Sequence, residues 1–429
     1  MKIDAPDTAR RALIRYAEIL GALSLVAWIR VLVFGYVLHQ PYPYNTFLFI
    51  PDARFSDFTI YYSRFRNFGG GSGVFSAPGH PFTYPAPCFI AYLLLVKLFA
   101  HPLAVYLCVV LVAVALGALV LYRATVSAGG SAGLIAPVVA MTALLAYPFM
   151  FLLDRGNIEG LAWILVLAGL LAFIREKHLL AGSLFAVAAA MKIVPGLFLL
   201  LLIPKRRYKE LVAATTVGVG VTLASLAVIG PSIGQANRAI AAGLNAFREI
   251  YVVHYRPFEI GFDHSLFGFI KQVLALATRD IALVDRMLPS VVLVYGAAVS
   301  IGFGSLYLLR IRKLPLLNQL FALVIALITL PYVAYDYTLV YLYLPWGCLL
   351  VFLVRDVIPG RARMTARQAL AFLAPCAVVF TPQSYLILFP PEVVSVGGQV
   401  KTVALMVLLW SAIHIPLPSS IFGETDAKE

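Results

Sequence analysis

Four polar side chains crowd into six positions of the stretch LLDRGNIEGLAW, residues 152 to 163: Asp154, Arg155, Asn157 and Glu159, with apolar sequence on both sides. Other ionisable residues interrupt apolar or aromatic sequence in the same isolated way. Asp57 stands in RFSDFTIYYSRF, Lys192 in AAAMKIVPG, His264 in YRPFEIGFDHSLFGFIK and Asp336 in YVAYDYTLVY. A charge at the centre of a membrane helix costs about 2.5–3.5 kcal/mol or more, so such residues usually face a cavity and mark a functional path. A carboxylate beside an incoming alcohol acts as general base. Cations beside a departing phosphate stabilise the charge that develops there, and more so where water is scarce. Transfer of a sugar from a lipid phosphate to a hydroxyl needs those two parts. Asp57 is the candidate base, with Lys192 and Arg155 the candidate phosphate partners. Residues 39–102 contain no Asp-x-Asp pair. Cations can do a metal's work here, so neither a metal nor another cofactor is expected.

Each of these residues also has a plainer reading. Asp57 follows Ser56 at the start of a stretch with aromatics at helical spacing, where an acid can cap a helix. Arg155 and Glu159 are four apart, the spacing of an ordinary helical ion pair. Lys192 could snorkel to water along its apolar stem. His264, beside Asp263, could cap a loop, and Asp336, between Tyr335 and Tyr337, could sit in a solvated turn.

The elements that must position these groups follow from composition. Of 429 residues, 62% are hydrophobic and 12% charged, against about 45–50% and about 25% in a soluble domain. The chain therefore reads as an all-α, polytopic membrane protein, a single integral membrane domain over 1–429. Lys and Arg mark cytoplasmic loops, and six basic clusters stand out: RRALIR at 10–15, Arg123, REKH at 175–178, KRRYK at 205–209, RIRK at 310–313 and RDVIPGRARMTAR at 355–367. Keeping all six on one side requires an even number of crossings between neighbours. Stretch 85–100, PAPCFIAYLLLVKLFA, has only 16 residues and holds Lys97, so it is expected to lie in the outer interface. Twelve spans then close the layout, near 17–38, 103–123, 132–152, 158–174, 179–191, 194–204, 210–230, 289–309, 315–331, 338–354, 367–382 and 399–417, with both termini inside. Spans 179–191 and 194–204 are too short to cross at 1.5 Å per residue and should be buried by neighbours or tilt around a thinned site. Long external segments remain at 39–102 and 231–288.

Several function classes are disfavoured. Net charge is +13, yet no basic run interleaves with aromatics as a nucleic-acid groove requires. Cys88, Cys108, Cys348 and Cys376 stand far apart, giving neither a disulfide framework nor a zinc pattern. The first apolar segment carries Arg30 and lacks a small-residue cleavage site, so it reads as an uncleaved anchor. GGGSG at 69–73 lacks the following Gly-Lys-Ser/Thr of a phosphate loop and reads as a flexible joint.

The succession DFTIYYSRFRNF, FTYPAPCFIAYLLLVKLF, RGNIEGLAWILVLAGLLAF and LAGSLFAVAAAMKIVPGLFLLLLIPKRR, followed by HSLFGFIKQVL and LPYVAYDYTLVYLYLPW, resembles glycosyltransferase family 87 from about residue 50 to 350. Members are C-fold (GT-C) membrane enzymes that use polyprenyl-phosphate sugars, typically mannose. The resemblance implies a catalytic module over 1–230, variable C-terminal helices over 289–429, and two interfacial helices in the first external loop. It implies inverting transfer of a hexose to a lipid or glycan hydroxyl at the external face of the cytoplasmic membrane, with Asp57 as base. Lys192, Arg155, Asn157, Glu159, Tyr62 and Tyr84 are then expected around the donor phosphate and sugar, and His264, Asp336 and Tyr337 around the acceptor or sugar. Two departures bear on the sugar and acceptor: RGNIEG stands where Gly-Gln-Val-Asn is common, and Asp336-Tyr337 where a histidine is common. A C-fold transferase for another sugar, or a flippase of lipid-linked sugars, are the alternatives. A transporter should carry inverted repeats and paired interrupted helices, and the broken pair at 179–204 has no counterpart in the second half.

Overall fold

Long runs of Leu, Val, Ala and Ile with few internal breakers dictate helices, because the backbone can then satisfy its own polar groups within each segment. The computed structural model describes residues 5–40, 48, 54–69, 74–75, 82–382, 386–389 and 392–423. Within them the chain is almost entirely helical. The first half contains α1 (Ala5–Arg30), α2 (Ser56–Arg66), α3 (Ala86–Leu98), α4 (Pro102–Ser127), α5 (Ala132–Ala140), α6 (Tyr147–Arg155), α7 (Glu159–Ile174), α8 (His178–Met191) and α9 (Tyr208–Ile229). The middle holds α10 (Ile233–Phe247), α11 (Pro257–Ile260) and α12 (Leu266–Thr278). The remainder comprises α13 (Ile281–Leu309), α14 (Leu316–Thr329), α15 (Tyr343–Phe352), α16 (Ala366–Phe380) and α17 (Gly397–His414).

Among the described residues, six segments are long and apolar enough to cross a membrane: Ala9–Val37, Pro102–Ser127, Ala132–Arg155, Tyr208–Ile229, Ile281–Lys313 and Asp336–Val357. Several of them expose large apolar side chains. Leu25, Val26, Leu293 and Ile301 are each more than 60% exposed, a surface that water would penalise and hydrocarbon would cover. Among the twelve expected spans, 158–174, 179–191, 315–331 and 367–382 appear as the shorter apolar helices α7, α8, α14 and α16. Every residue of α14 is buried, so it is a central helix that neighbours cover on all sides. Stretch 194–204 forms a 3₁₀ helix, Val194–Leu202, started at Pro195, whose fixed φ suits the first turn. The expected helix at 85–100 is α3, packed on α2, α4, α8 and α9.

Segment 231–288 is helical rather than an open loop. Ser232 caps α10 by accepting from Gln235 N, and Ser265 caps α12 by accepting from Gly268 N. Val252, Tyr255, Phe267, Leu288 and Tyr295 pack there into a core of their own. A departure from all-helical lies between the expected spans 367–382 and 399–417. There Leu386–Phe389 (β1) pairs antiparallel with Glu392–Ser395 (β2), Leu386 opposite Ser395 and Phe389 opposite Glu392. The LILF and EVVS runs flanking Pro390-Pro391 carry the β-branched and apolar residues that favour strands. Of the GGGSG joint, residues 70–73 lie outside the described residues.

Helices α4 and α7 touch closely at Gly160, where a Cβ would lie 2.7 Å from the Tyr106 hydroxyl and 2.8 Å from a Val110 methyl. That contact seats the start of α7 against α4. Helix α9, with 22 residues, rises about 33 Å and so can carry the chain across a bilayer core of about 30 Å. In a Cys108→Ser background, cysteine placed at exposed Gln235 should react with a membrane-impermeant maleimide on intact cells, whereas cysteine at exposed Lys209 should react only after permeabilisation. Equal labelling of both sites on intact cells would put them on one side.

Candidate active site

An aromatic bed fixes α2. Phe65 stacks on Tyr92 with centroids 5.4 Å apart and meets Phe89 at 4.8 Å, while Tyr61 meets Phe82 edge-on at 5.1 Å. The Tyr92 hydroxyl donates to the Asp57 carbonyl at 3.0 Å, and Phe55 N donates to the Asp154 carbonyl at 2.6 Å. The first bond ties the start of α2 to α3, and the second ties it to the end of α6. Asp57 lies in the first turn of α2, where the helix dipole favours a negative charge. Among the described residues its carboxylate is bonded to side chains from outside that helix. Arg155 Nη2 donates to Oδ1 at 2.6 Å and Asn157 Nδ2 donates to Oδ2 at 2.7 Å.

The turn between α6 and α7 makes this possible. Helix α6 ends at Arg155 with Gly156 in the left-handed region at φ 62°, its N–H reaching back to Leu152 and Leu153 carbonyls, a glycine-terminated helix end. A Cβ at Gly156 would also press on Phe58 Cβ at 3.1 Å. Asn157 is fully buried and uses both ends of its amide, since its Oδ1 accepts the Glu159 N–H at 3.0 Å and so satisfies a donor that the start of α7 leaves unpaired. The Tyr106 hydroxyl donates to its carbonyl. Arg155 and Glu159 therefore belong to different helices and do not form the ion pair that their spacing permits.

Glu159 turns the other way. It is 2% exposed and pairs with Lys192, whose side chain is 21% exposed, and its second oxygen accepts from the Tyr341 hydroxyl at 2.7 Å. Lys192 sits at the break between α8 and the 3₁₀ helix. Its ammonium lies 4.8 Å from the Tyr337 ring centre and 5.5 Å from that of Tyr84, within cation–π range. The Tyr84 hydroxyl accepts from Asn157 Nδ2 at 3.3 Å. Tyr84 thus stands between the two ion pairs, and burial raises its hydroxyl well above the ordinary tyrosine range. It stays protonated and can donate to a ligand. The result is one partly open polar patch built from α2, residue 84, the α6–α7 turn and the end of α8.

The remaining expected site residues divide. Tyr337 joins the patch through Lys192. Tyr62 does not: its hydroxyl accepts from Arg66 one turn along α2 at 2.8 Å. His264 and Asp336 form a separate cluster, 0% and 1% exposed. Asp336 Oδ2 accepts from Lys401 Nζ at 2.7 Å, Oδ1 faces His264 Nδ1 at 3.3 Å, and His264 Nε2 faces the Thr338 hydroxyl at 3.1 Å. Asp336 is therefore enclosed, not in a solvated turn. The loop cap is Asp263, which accepts from Ser265 N and Ala334 N, both at 3.0 Å; burial raises its carboxyl. This cluster braces the 257–265 loop, residues 334–338 and α17 against one another.

Lys401 and Tyr341 were not among the expected residues. A single lysine in the apolar run GGQVKTVALMVLLW is a signal that could have found Lys401, whereas Tyr341 is one tyrosine among many. Removing one partner of a buried ion pair leaves an uncompensated charge and costs about 3–5 kcal/mol. Asp336→Ala should lose about that much stability in denaturant titrations of detergent-solubilised protein, and adding Lys401→Met should restore most of it. Loss of activity with unchanged stability would instead place Asp336 in the chemistry.

Residues 82–340 match the model of glycosyltransferase family 87. No curated protein and no solved structure matches the chain. The matched stretch contains Tyr84, Arg155, Asn157, Glu159, Lys192, His264, Asp336 and Tyr337, and Asp57 precedes it. It covers more than half of the chain, and the chain belongs to glycosyltransferase family 87.

Proposed function

We propose that this glycosyltransferase moves a hexose, specifically mannose, from a polyprenyl-phosphate donor to a hydroxyl of a lipid or glycan acceptor, with inversion, at the external face of the cytoplasmic membrane. The observation that carries this reading is the meeting of the Asp57 carboxylate and the Lys192 ammonium around Tyr84 through Asn157. In this mechanism the acceptor O–H gives its proton to Asp57 while its oxygen attacks the anomeric carbon from the face opposite the phosphate. The bond from that carbon to the phosphate oxygen breaks, and its electron pair leaves with polyprenyl phosphate. The charge gained by the leaving group falls near Lys192 and Arg155, so the protein's own cations serve the step without a metal.

The pairing of each cation fits that role. Without donor, Glu159 and Asp57 neutralise Lys192 and Arg155, which avoids an isolated charge at membrane depth. Glu159 is buried behind Lys192, so the lysine keeps its exposed side for a ligand. Each Asp57 oxygen accepts one side-chain N–H from Arg155 or Asn157 and retains a lone pair for the acceptor hydroxyl. Under the same reading the fold is of the C type with about twelve crossings, and α2 and α3 are its interfacial helices.

Purified protein supplied with labelled polyprenyl-phosphate mannose and candidate acceptors tests the proposal. General-base catalysis contributes roughly 10²–10⁴-fold, so Asp57→Asn should lower kcat by about that factor with donor binding largely intact; wild-type turnover in that variant would refute the base. Lys192→Ala should slow transfer by roughly 10²–10³-fold, the scale of removing one group that stabilises developing charge. Unchanged kinetics would reduce the lysine to a packing role.

A further inference from the structure

A cavity of about 750 Å³ runs between α4, α7 and α15. Leu121, Leu167, Leu170 and Trp163 form its apolar wall, and Arg175, Arg355 and Arg361 gather at one end. No acidic side chain lines it. All three arginines are exposed, and none has an ion-pair partner among the described residues. The candidate active site treats its cations in the opposite way, since Arg155 and Lys192 are both paired.

We propose that this groove holds an anionic phospholipid, its phosphate on the three arginines and an acyl chain along the apolar wall. Position, charge and access all favour that occupant. Arg175 follows Glu159 by sixteen positions along and just beyond α7, a rise of about 24 Å, which brings the arginines towards the membrane face opposite the candidate active site. The same arginines belong to the basic clusters that mark the cytoplasmic side, where anionic lipids concentrate. Val120 lines the groove and is 41% exposed on the outer surface of α4, so the groove opens where hydrocarbon chains lie. Guanidinium forks match phosphate oxygens two bonds at a time. Ser420, held by two hydrogen bonds to Asp356 at 2.6 and 3.1 Å, adds a hydroxyl to the lining. The Trp163 indole N–H is buried without an acceptor among the described residues, which leaves a donor on the same wall. This inference concerns a lipid that is neither donor nor acceptor and does not depend on the proposed chemistry.

Native mass spectrometry of the purified, delipidated full-length chain, exposed separately to phosphatidylglycerol and phosphatidylcholine, tests it. Phosphatidylglycerol should be retained and phosphatidylcholine lost. The variant R175Q/R355Q/R361Q changes only exposed side chains and should bind phosphatidylglycerol about 100-fold more weakly, roughly fivefold per arginine. Gly347→Phe, at a lining position where a Cβ meets only Leu121 methyls at 3.5 and 3.6 Å, should expel the lipid with all three arginines intact. Equal retention of phosphatidylcholine, or full retention of phosphatidylglycerol by the triple variant, would overturn the proposal. So would preferential displacement of phosphatidylglycerol by polyprenyl phosphate, which would make the groove a channel for the donor's tail.

Discussion

A carboxylate in a protein wrapped by hydrocarbon is costly unless a cation or several N–H groups stand against it, because neither lipid nor apolar side chains solvate charge. Three such pairs organise the polar regions of this chain: Asp57 with Arg155, Glu159 with Lys192, and Asp336 with Lys401. Each joins residues far apart in sequence. The first ties α2 to the end of α6, the second α7 to the end of α8, and the third residue 336 to α17. Helix packing supplies most of the contact area, but these pairs dictate which faces of which helices can meet.

The α6–α7 turn carries two of the three. Because Gly156 reverses the backbone in the left-handed region, Arg155 and Glu159 leave the turn towards different partners, and Asn157 between them supports both. One amide nitrogen reaches Asp57 and Tyr84, and the amide oxygen caps α7. A β-carbon at position 156 would strain the turn and push against α2, so loss of this glycine would disturb both pairs together. Geometry thus couples the Asp57 carboxylate, the Lys192 ammonium and the tyrosine between them to a single reversal of the chain.

The two ends of α7 differ in how they treat cations. Beside Asp57 and Glu159, Arg155 and Lys192 are neutralised in place and only partly open. At the arginine end of the groove, Arg175, Arg355 and Arg361 are exposed and have no ion-pair partner among the described residues. Helix α7 runs between these ends.

Much was legible in sequence. Apolar runs fixed the all-α membrane class and most helix positions, because hydrocarbon admits only segments that satisfy their own backbone. The isolated polar residues at 57, 155, 157, 159 and 192 marked the patch, because charge in such a setting is too costly to be accidental. Sequence could not pair them: Arg155 and Glu159 look like partners at a spacing of four, and only the glycine turn separates them. Tyr62 and Tyr84 looked equivalent in the first loop, yet their placement relative to Lys192 depends on how α2 packs on α3. The enclosure of His264 and Asp336 came from Lys401, some 65 positions later, and the helices of 231–288 escaped a reading tuned to membrane-length runs. Local composition determines which residues must be satisfied, whereas the identity of each partner is settled only when distant helices pack.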